Sequence, residues 1–276
     1  MSKRRIGTAI YTIEGRIEGM KIVSHHDRET AYRVSDRGGS GRPILFVHGS
    51  GGNHTVWKSQ FRLGDHRPIV SLDLSGHGES EDIDAAPGYE TLSAYADDVL
   101  AVAEATDAGV FAGNSMGGAI LMHLALQRDE FQPEGLVLAG TGAKLAVLDD
   151  LLTWLEEDFE RALEFLHASD RFLHDPKEEL VEMSREAMQE AGREVTARDF
   201  RTSHEFDVRD QVDGITVPTL AIVGEHDKLT PPWYHEFLAE ELPNADLAVI
   251  DDAAHLAMLE QPEPFNEAIR RFLESL

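Results

Sequence analysis

The sequence predicts an α/β fold: a mostly parallel sheet flanked by helices, with one helical insertion between core strands. Short, continuous apolar runs recur along the chain, the pattern of strands buried on both faces. Stretches of helical spacing separate them, so the connections read as crossovers and the strands as parallel. One long stretch, residues 146–213, holds only helical stripes and breaks the alternation.

The elements follow in chain order. Residues from Ile17 to Val34 alternate weakly and predict two antiparallel strands. The buried-strand runs are 43–47, 68–72, 109–112, 135–139, 217–223 and 247–250. A helix is expected from Leu92 to Ala105, with Thr91 or Ser93 as its N-cap and an apolar stripe of Leu92, Tyr95, Ala96, Val99 and Ala103. Residues 232–242 and 264–276 also have helical spacing. In the insertion, Leu148, Leu151, Leu152, Leu155, Phe159, Ala162, Leu163 and Leu166 form one stripe. Leu180, Met183 and Ala187 begin a second, and Phe200 and Phe206 flank a third short stretch. The expected organisation is therefore a core of residues 1–145 and 214–276, with residues 146–213 as a helical lid. An insertion after the C-terminal end of a core strand falls over the crevice where open α/β sheets bind ligands.

Composition narrows the function classes. At 276 residues with 42% hydrophobic content, the chain is long enough to bury a substantial core. With no cysteine, disulfides, thiolate catalysis and cysteine-ligated metals are excluded. No apolar run approaches a membrane span, so no membrane partner is expected. The Met1–Arg5 stretch is basic and lacks an apolar signal region, which favours the cytoplasm. The chain carries 51 acidic and 25 basic residues, a net charge of -26. That leaves no cationic footprint for nucleic acid. The acids are spread along the whole chain, and such a surface self-repels at low salt and is screened at high salt. In this it resembles the proteins of salt-loving microbes. The oligomeric state is left open.

The chemistry is carried by Gly113-Asn114-Ser115-Met116-Gly117, set between a strand-like run and a helical run. Gly-x-Ser-x-Gly at a strand-to-helix corner is a nucleophile elbow. The turn excludes side chains two residues either side of the serine, and it exposes the hydroxyl at a helix N-terminus, where negative charge is favoured. By composition alone such a pattern arises by chance in about one chain in ten, so its flanks and partners must carry the argument.

A serine nucleophile needs a base, and the base needs an orienting acid. Asp227 follows run 217–223 and His255 follows run 247–250, so both fall just beyond the C-terminal end of a strand, as Ser115 does. Ser115, Asp227 and His255 are the catalytic candidates. Glu225 and His226 beside Asp227, and Asp251 and Asp252 before His255, are second choices. Oxyanion stabilisation calls for backbone N–H groups from the residue after the nucleophile and from a glycine-rich loop. Met116 supplies the first. His48-Gly49-Ser50-Gly51-Gly52 supplies the second through Ser50, with Gly51 as the alternative.

With the Asp73–Ser80 loop, these motifs closely resemble the α/β-hydrolase superfamily from about Arg28 to Leu276. The resemblance implies a serine-nucleophile hydrolase with no cofactor, acting on a small-molecule ester. It also implies that His48 and His77 are structural. Relatives that open epoxides or displace halides carry Asp at the elbow, so Ser115 points to acyl transfer. The leading expectation is a carboxylesterase for small to medium acyl groups. A carbon–carbon bond hydrolase of the ring-cleavage type, an enol-lactonase and a non-enzymatic ligand receptor on the same fold are the alternatives. The ring-cleavage enzymes use a polar lid group, for which Arg185, Arg193, Arg198 and Arg201 are candidates. Trp154, Phe159 and Met183, with Phe165, Phe172, Met188 and Phe200, are the apolar lid candidates for substrate contact. His25-His26-Asp27 is the densest group of metal-ligand types, but it lacks ligand spacing, so no metal is expected.

Overall fold

The computed structural model describes residues 16–17 and 19–276. The basic stretch Met1–Arg5 lies outside them. The described chain opens with β1 (Arg16–Ile17), β2 (Lys21–His25) and β3 (Arg28–Asp36), with β1 and β2 both antiparallel to β3. His26 and Asp27 form the two-residue turn between β2 and β3, both at positive φ (47° and 58°). That conformation matches the twist of a hairpin. The group His25-His26-Asp27 is thus the end of β2 and the turn that follows it.

The core strands are β4 (Ile44–Val47), β5 (Ile69–Leu72), β6 (Val110–Asn114), β7 (Gly135–Ala139), β8 (Thr219–Gly224) and β9 (Ala245–Ile250). The sheet runs β1-β3-β5-β4-β6-β7-β8-β9, with β2 paired to β3. From β5 to β9 every pairing is parallel. Residue alternation divides the core into two layers. Ile44, Phe46, Val110 and Ala112 face one side, where Phe265, Ile269 and Phe272 cover them. Leu45, Val47 and Phe111 face the other, beneath Leu92, Val99, Ile120 and Leu238. Every residue of β4 to β8 is buried, which is why those runs are predominantly apolar. By contrast β9, expected from sequence to be buried on both faces, is an edge strand that exposes Leu247 and Val249.

The covering helices are α1 (Tyr89–Thr106) and α2 (Met116–Gln127); after the insertion come α6 (Pro232–Glu241), α7 (Ala257–Glu260) and α8 (Pro262–Ser275). Helix α1 corrects the sequence reading. It begins at Tyr89 with Gly88 as N-cap, and neither Thr91 nor Ser93 caps it. The Thr91 hydroxyl instead donates back to the Ala86 carbonyl at 2.7 Å.

Between β7 and β8 lie α3 (Asp149–Glu157), α4 (Phe159–Leu166) and α5 (Glu178–Glu205). The first predicted stripe is two helices, parted at Asp158, whose carboxylate accepts from the Arg161 N–H. The second and third stretches are one element, α5, bent at Gly192, where φ is 80°. A short antiparallel contact pins the base of the insertion. The Val208 N–H donates to Ala143 O at 2.8 Å, and Lys144 bridges to Asp207. Leu151, Leu155, Leu163 and Leu166 join the same apolar cluster as Phe46 and Phe265.

Candidate active site

Ser115 sits at the corner between β6 and α2 with φ 54° and ψ -117°. A β-carbon on Gly113 would collide with the backbone of Gly117, and one on Gly117 with the Val47 carbonyl. The two flanking glycines are therefore steric requirements of the turn. The Ser115 N–H donates to Ala139 O at 2.9 Å, and the Thr141 hydroxyl donates to Ser115 O at 2.8 Å. These bonds hold the non-helical conformation in place. Asn114 ties the elbow to the His255 loop, its Nδ2 donating to Ala139 O at 3.2 Å and His255 O at 3.3 Å.

Asp227 and His255 meet at the ends of β8 and β9. His255 Nδ1 lies 2.9 Å from Asp227 Oδ2. A carboxylate only accepts, so Nδ1 carries the proton and Nε2 keeps its lone pair in the neutral ring. Asp227 is buried, and its Oδ1 accepts from the N–H groups of Leu229 and Thr230, each at 2.8 Å. Its Oδ2 also accepts from the Thr230 hydroxyl at 2.8 Å. Burial alone would raise this carboxyl's pKa. The His255 imidazole and the hydrogen bonds from His255 and Thr230 outweigh it and hold the group below the usual carboxylate value. The Phe172 ring stacks on His255 with centroids 5.9 Å apart. Of the second choices, Glu225, Asp251 and Asp252 are exposed, and His226 stacks on His174 at 3.7 Å.

Ser115 and His255 line one cavity of about 520 Å³. Among the described residues, neither the Ser50 N–H nor the Met116 N–H meets an acceptor. The Gly51 N–H does: it donates to Asp199 Oδ2 at 2.9 Å. Sequence reasoning missed Asp199. It is fully buried on α5, and it also accepts from Tyr95 (2.7 Å) and from His77 Nε2 (2.8 Å). One insertion carboxylate therefore positions both the Gly51 loop and the His77 loop. The legible signal was its spacing: Thr196, Asp199, Phe200 and Ser203 share the buried face of α5. His77 is correspondingly held above its ordinary pKa; burial would lower it, and Asp199 raises it. His48 goes the other way. Burial, with His77 beside it, pushes its pKa down to about 4. Its Nδ1 lies 2.8 Å from Gly49 O, and its Nε2 accepts the Leu74 N–H at 3.0 Å. Both histidines brace loops.

The insertion candidates divide. Met183 lines the cavity, as do Phe165, Phe172, Met188 and Phe200. Trp154 and Phe159 do not, which corrects the sequence reading. Trp154 packs on Phe165 at 5.4 Å with the Arg161 guanidinium 4.2 Å over its ring, and both residues pack on the apolar cluster. The four arginines of the insertion also point elsewhere. Arg185 pairs with Glu160, Arg198 with Asp82 and Arg201 with Glu156, and Arg193 donates to Glu156 O. The arginine that lines the cavity is Arg171, which helical periodicity could not flag because it lies between α4 and α5. For metals, among the described residues Asp170, His174 and His226 alone bring three ligand atoms within 4.8 Å of one another. The Lys228 ammonium already sits 2.6 Å from Asp170 there.

The alpha/beta hydrolase family model matches residues 44–268. The chain belongs to that family. A protein of Azorhizobium caulinodans, provisionally named carbamate hydrolase RutD, is 30% identical over 252 residues, covering 85% of this chain and 92% of that one. The 3-oxoadipate enol-lactonase 1 of Acinetobacter baylyi is 27% identical, covering 84% and 89%. Among solved structures, a thermophilic esterase superposes with a TM-score of 0.82 at 30% identity, covering 94% of this chain and 98% of its own. The family supports a hydrolase. Among the described residues, no helix is long and apolar enough to cross a membrane.

Proposed function

We propose that the protein is a cytoplasmic serine hydrolase that cleaves carboxylic esters of small to medium acyl groups through an acyl-enzyme. The observation that carries this reading is the convergence on one cavity of a strained serine and a histidine whose Nδ1 is held by a buried carboxylate. In this mechanism Ser115 Oγ attacks the carbonyl carbon while His255 Nε2 takes the hydroxyl proton. Asp227 keeps the imidazole in the required tautomer and stabilises its cation. The Ser50 and Met116 N–H groups stabilise the oxyanion. Gly51, already committed to Asp199, is the weaker donor. When the tetrahedral intermediate collapses, the bond to the leaving oxygen breaks and His255 returns the proton to that oxygen. Water, deprotonated by His255, then attacks the acyl carbon; the bond from that carbon to Ser115 Oγ breaks, and His255 returns the proton to Oγ.

Helices α3 to α5 serve as the lid, because their side chains supply much of the cavity wall. Lactone opening is the second reading. It uses the same attack on a cyclic ester, and the enol-lactonase relative favours it. A p-nitrophenyl ester series, run beside an enol-lactone and a dienone ring-cleavage substrate, tests the class. A fluorophosphonate should label Ser115 and no other serine; an adduct mapped to Ser50, or none on an active preparation, refutes the elbow assignment. No turnover of any substrate would favour a ligand receptor.

A further inference from the structure

The cavity inverts the charge of the molecule around it. Acidic residues outnumber basic ones 51 to 25 along the chain. Yet no Asp or Glu lines the cavity, and besides His255 its basic side chains are Arg171 and Lys228. Lys228 is largely exposed, and Asp170 neutralises it at 2.6 Å. Arg171 differs. Among the described residues its guanidinium has no carboxylate partner. Nη1 donates to the Phe165 carbonyl at 3.0 Å, and the guanidinium carbon lies 3.7 Å over the Phe165 ring. The adjacent acid, Asp170, is taken by Lys228 and His174. A guanidinium carries five N–H donors, so this half-buried one retains donors for a ligand.

Its position is fixed relative to the chemistry. The His255 N–H donates to Arg171 O at 3.1 Å, and the Leu256 N–H donates to Phe172 O at 2.8 Å. Arg171 is thus stitched to the base-bearing loop and shares a cavity with Ser115. Stacking on Phe165 leaves the edge of the guanidinium plane for a planar, bidentate acceptor. The remaining wall is mostly apolar, with Leu151, Met183, Met188 and Phe200 among its residues, and suits an aliphatic spacer.

We propose that Arg171 anchors a carboxylate carried by the substrate, so that the preferred ester or lactone is a monoanion whose free carboxylate lies remote from the scissile carbonyl. This rests on the hydrolase reading and narrows it to a substrate class.

Two matched pairs of esters test it. The p-nitrophenyl half-ester of glutaric acid is compared with neutral p-nitrophenyl pentanoate, which places the carboxylate in the acyl group. Pentanoyl glycolate is compared with ethyl pentanoate, which places it in the leaving group. The readout is the ratio of kcat/KM values, anionic over neutral, within one preparation, so partial misfolding of a variant cancels. In at least one pair the wild-type ratio should favour the anion by about tenfold or more, as expected for charge-assisted hydrogen bonds. Arg171→Gln should remove that preference, and Arg171→Lys should keep part of it. Equal rates in both pairs, or a preference that survives Arg171→Gln, overturns the proposal. Glutarate binding by calorimetry separates the two readings. If no ester turns over but glutarate binds and Arg171→Gln abolishes binding, the hydrolase reading falls and the carboxylate anchor stands.

Discussion

The sheet rim and the helical insertion each supply part of the cavity, but different forces position their residues. On the rim, Ser115, Asp227 and His255 follow strand ends, and backbone geometry dictates where they go. Gly113 and Gly117 are there because no side chain fits. In the insertion, placement is decided by which way each helix rolls against the core. Met183 and Trp154 are both half-buried apolar residues on insertion helices, yet only Met183 reaches the cavity. Backbone-imposed positions leave a motif in the sequence, whereas packing-imposed positions leave only a periodicity.

The largest expected effect breaks the rim. Ser115→Ala should lower kcat by on the order of 10⁴-fold or more with folding intact, and His255→Ala and Asp227→Asn by comparable or smaller factors. Near-full activity of Asp227→Asn, with loss in a neighbouring carboxylate variant, would move the acid elsewhere.

Asp199 is where the two regions are joined, so Asp199→Asn should disturb both. Breaking a buried ionic network costs roughly 3–5 kcal/mol, which lowers Tm by on the order of 10 °C in a chain of this size. Its pH signature has two limbs. The Asp199 pKa is depressed: burial would raise it, but His77 and the hydrogen bonds it accepts prevail. Its contribution is therefore present above the unfolded value and lost as pH falls through the folded one. The His77 pKa is raised, so its contribution is present below the unfolded value and lost as pH rises through the folded one. Asp199→Asn should flatten the Tm–pH curve on both sides; a curve parallel to wild type would remove the network from the stability argument.

Within the insertion the contrast is finer. Met183→Ala should shift the acyl chain-length optimum of an ester series. Trp154→Ala should lower Tm, by a cost of about 2 kcal/mol for a partly buried aromatic, with the chain-length optimum unmoved. A shifted optimum in Trp154→Ala would return that residue to the cavity wall.

The smallest effect concerns the surface that both regions share. With a net charge of -26, self-repulsion is greatest at low ionic strength. Tm should rise from low to molar KCl, most of it early, as the Debye length contracts from about 30 Å at 0.01 M to about 3 Å at 1 M. A flat or falling midpoint would remove the salt-adapted reading of the composition.

These contrasts account for what was legible. The strand runs that became β4 to β8 and the tight turn at Ser115 could be read because burial on both sheet faces and steric exclusion at a turn constrain residue type directly. Run 247–250 reads as buried too, yet it is the edge strand β9, with Leu247 and Val249 exposed. Gly88 could not be recognised as the α1 cap, because Thr91 and Ser93 are better capping types by side chain alone. Glu260 was also hidden. Its carboxylate accepts from the N–H groups of Ala254 and His174, each at 2.8 Å, and so links the His255 loop to the insertion. Such a contact spans 86 residues and has no local signature. Arg171 and Asp199 act across similar distances in sequence.

The stretch after α4 has a consequence for redesign. Asp170 O accepts the Lys228 N–H, Arg171 O the His255 N–H and Phe172 O the Leu256 N–H. Three consecutive carbonyls thus serve as a template on which the Asp227 and His255 loops are laid. The insertion is accordingly not an interchangeable cap. Transplanting one from a relative to alter selectivity would exchange the jig that aligns the Asp227 and His255 loops, unless residues 168–175 were kept as a fixed graft boundary.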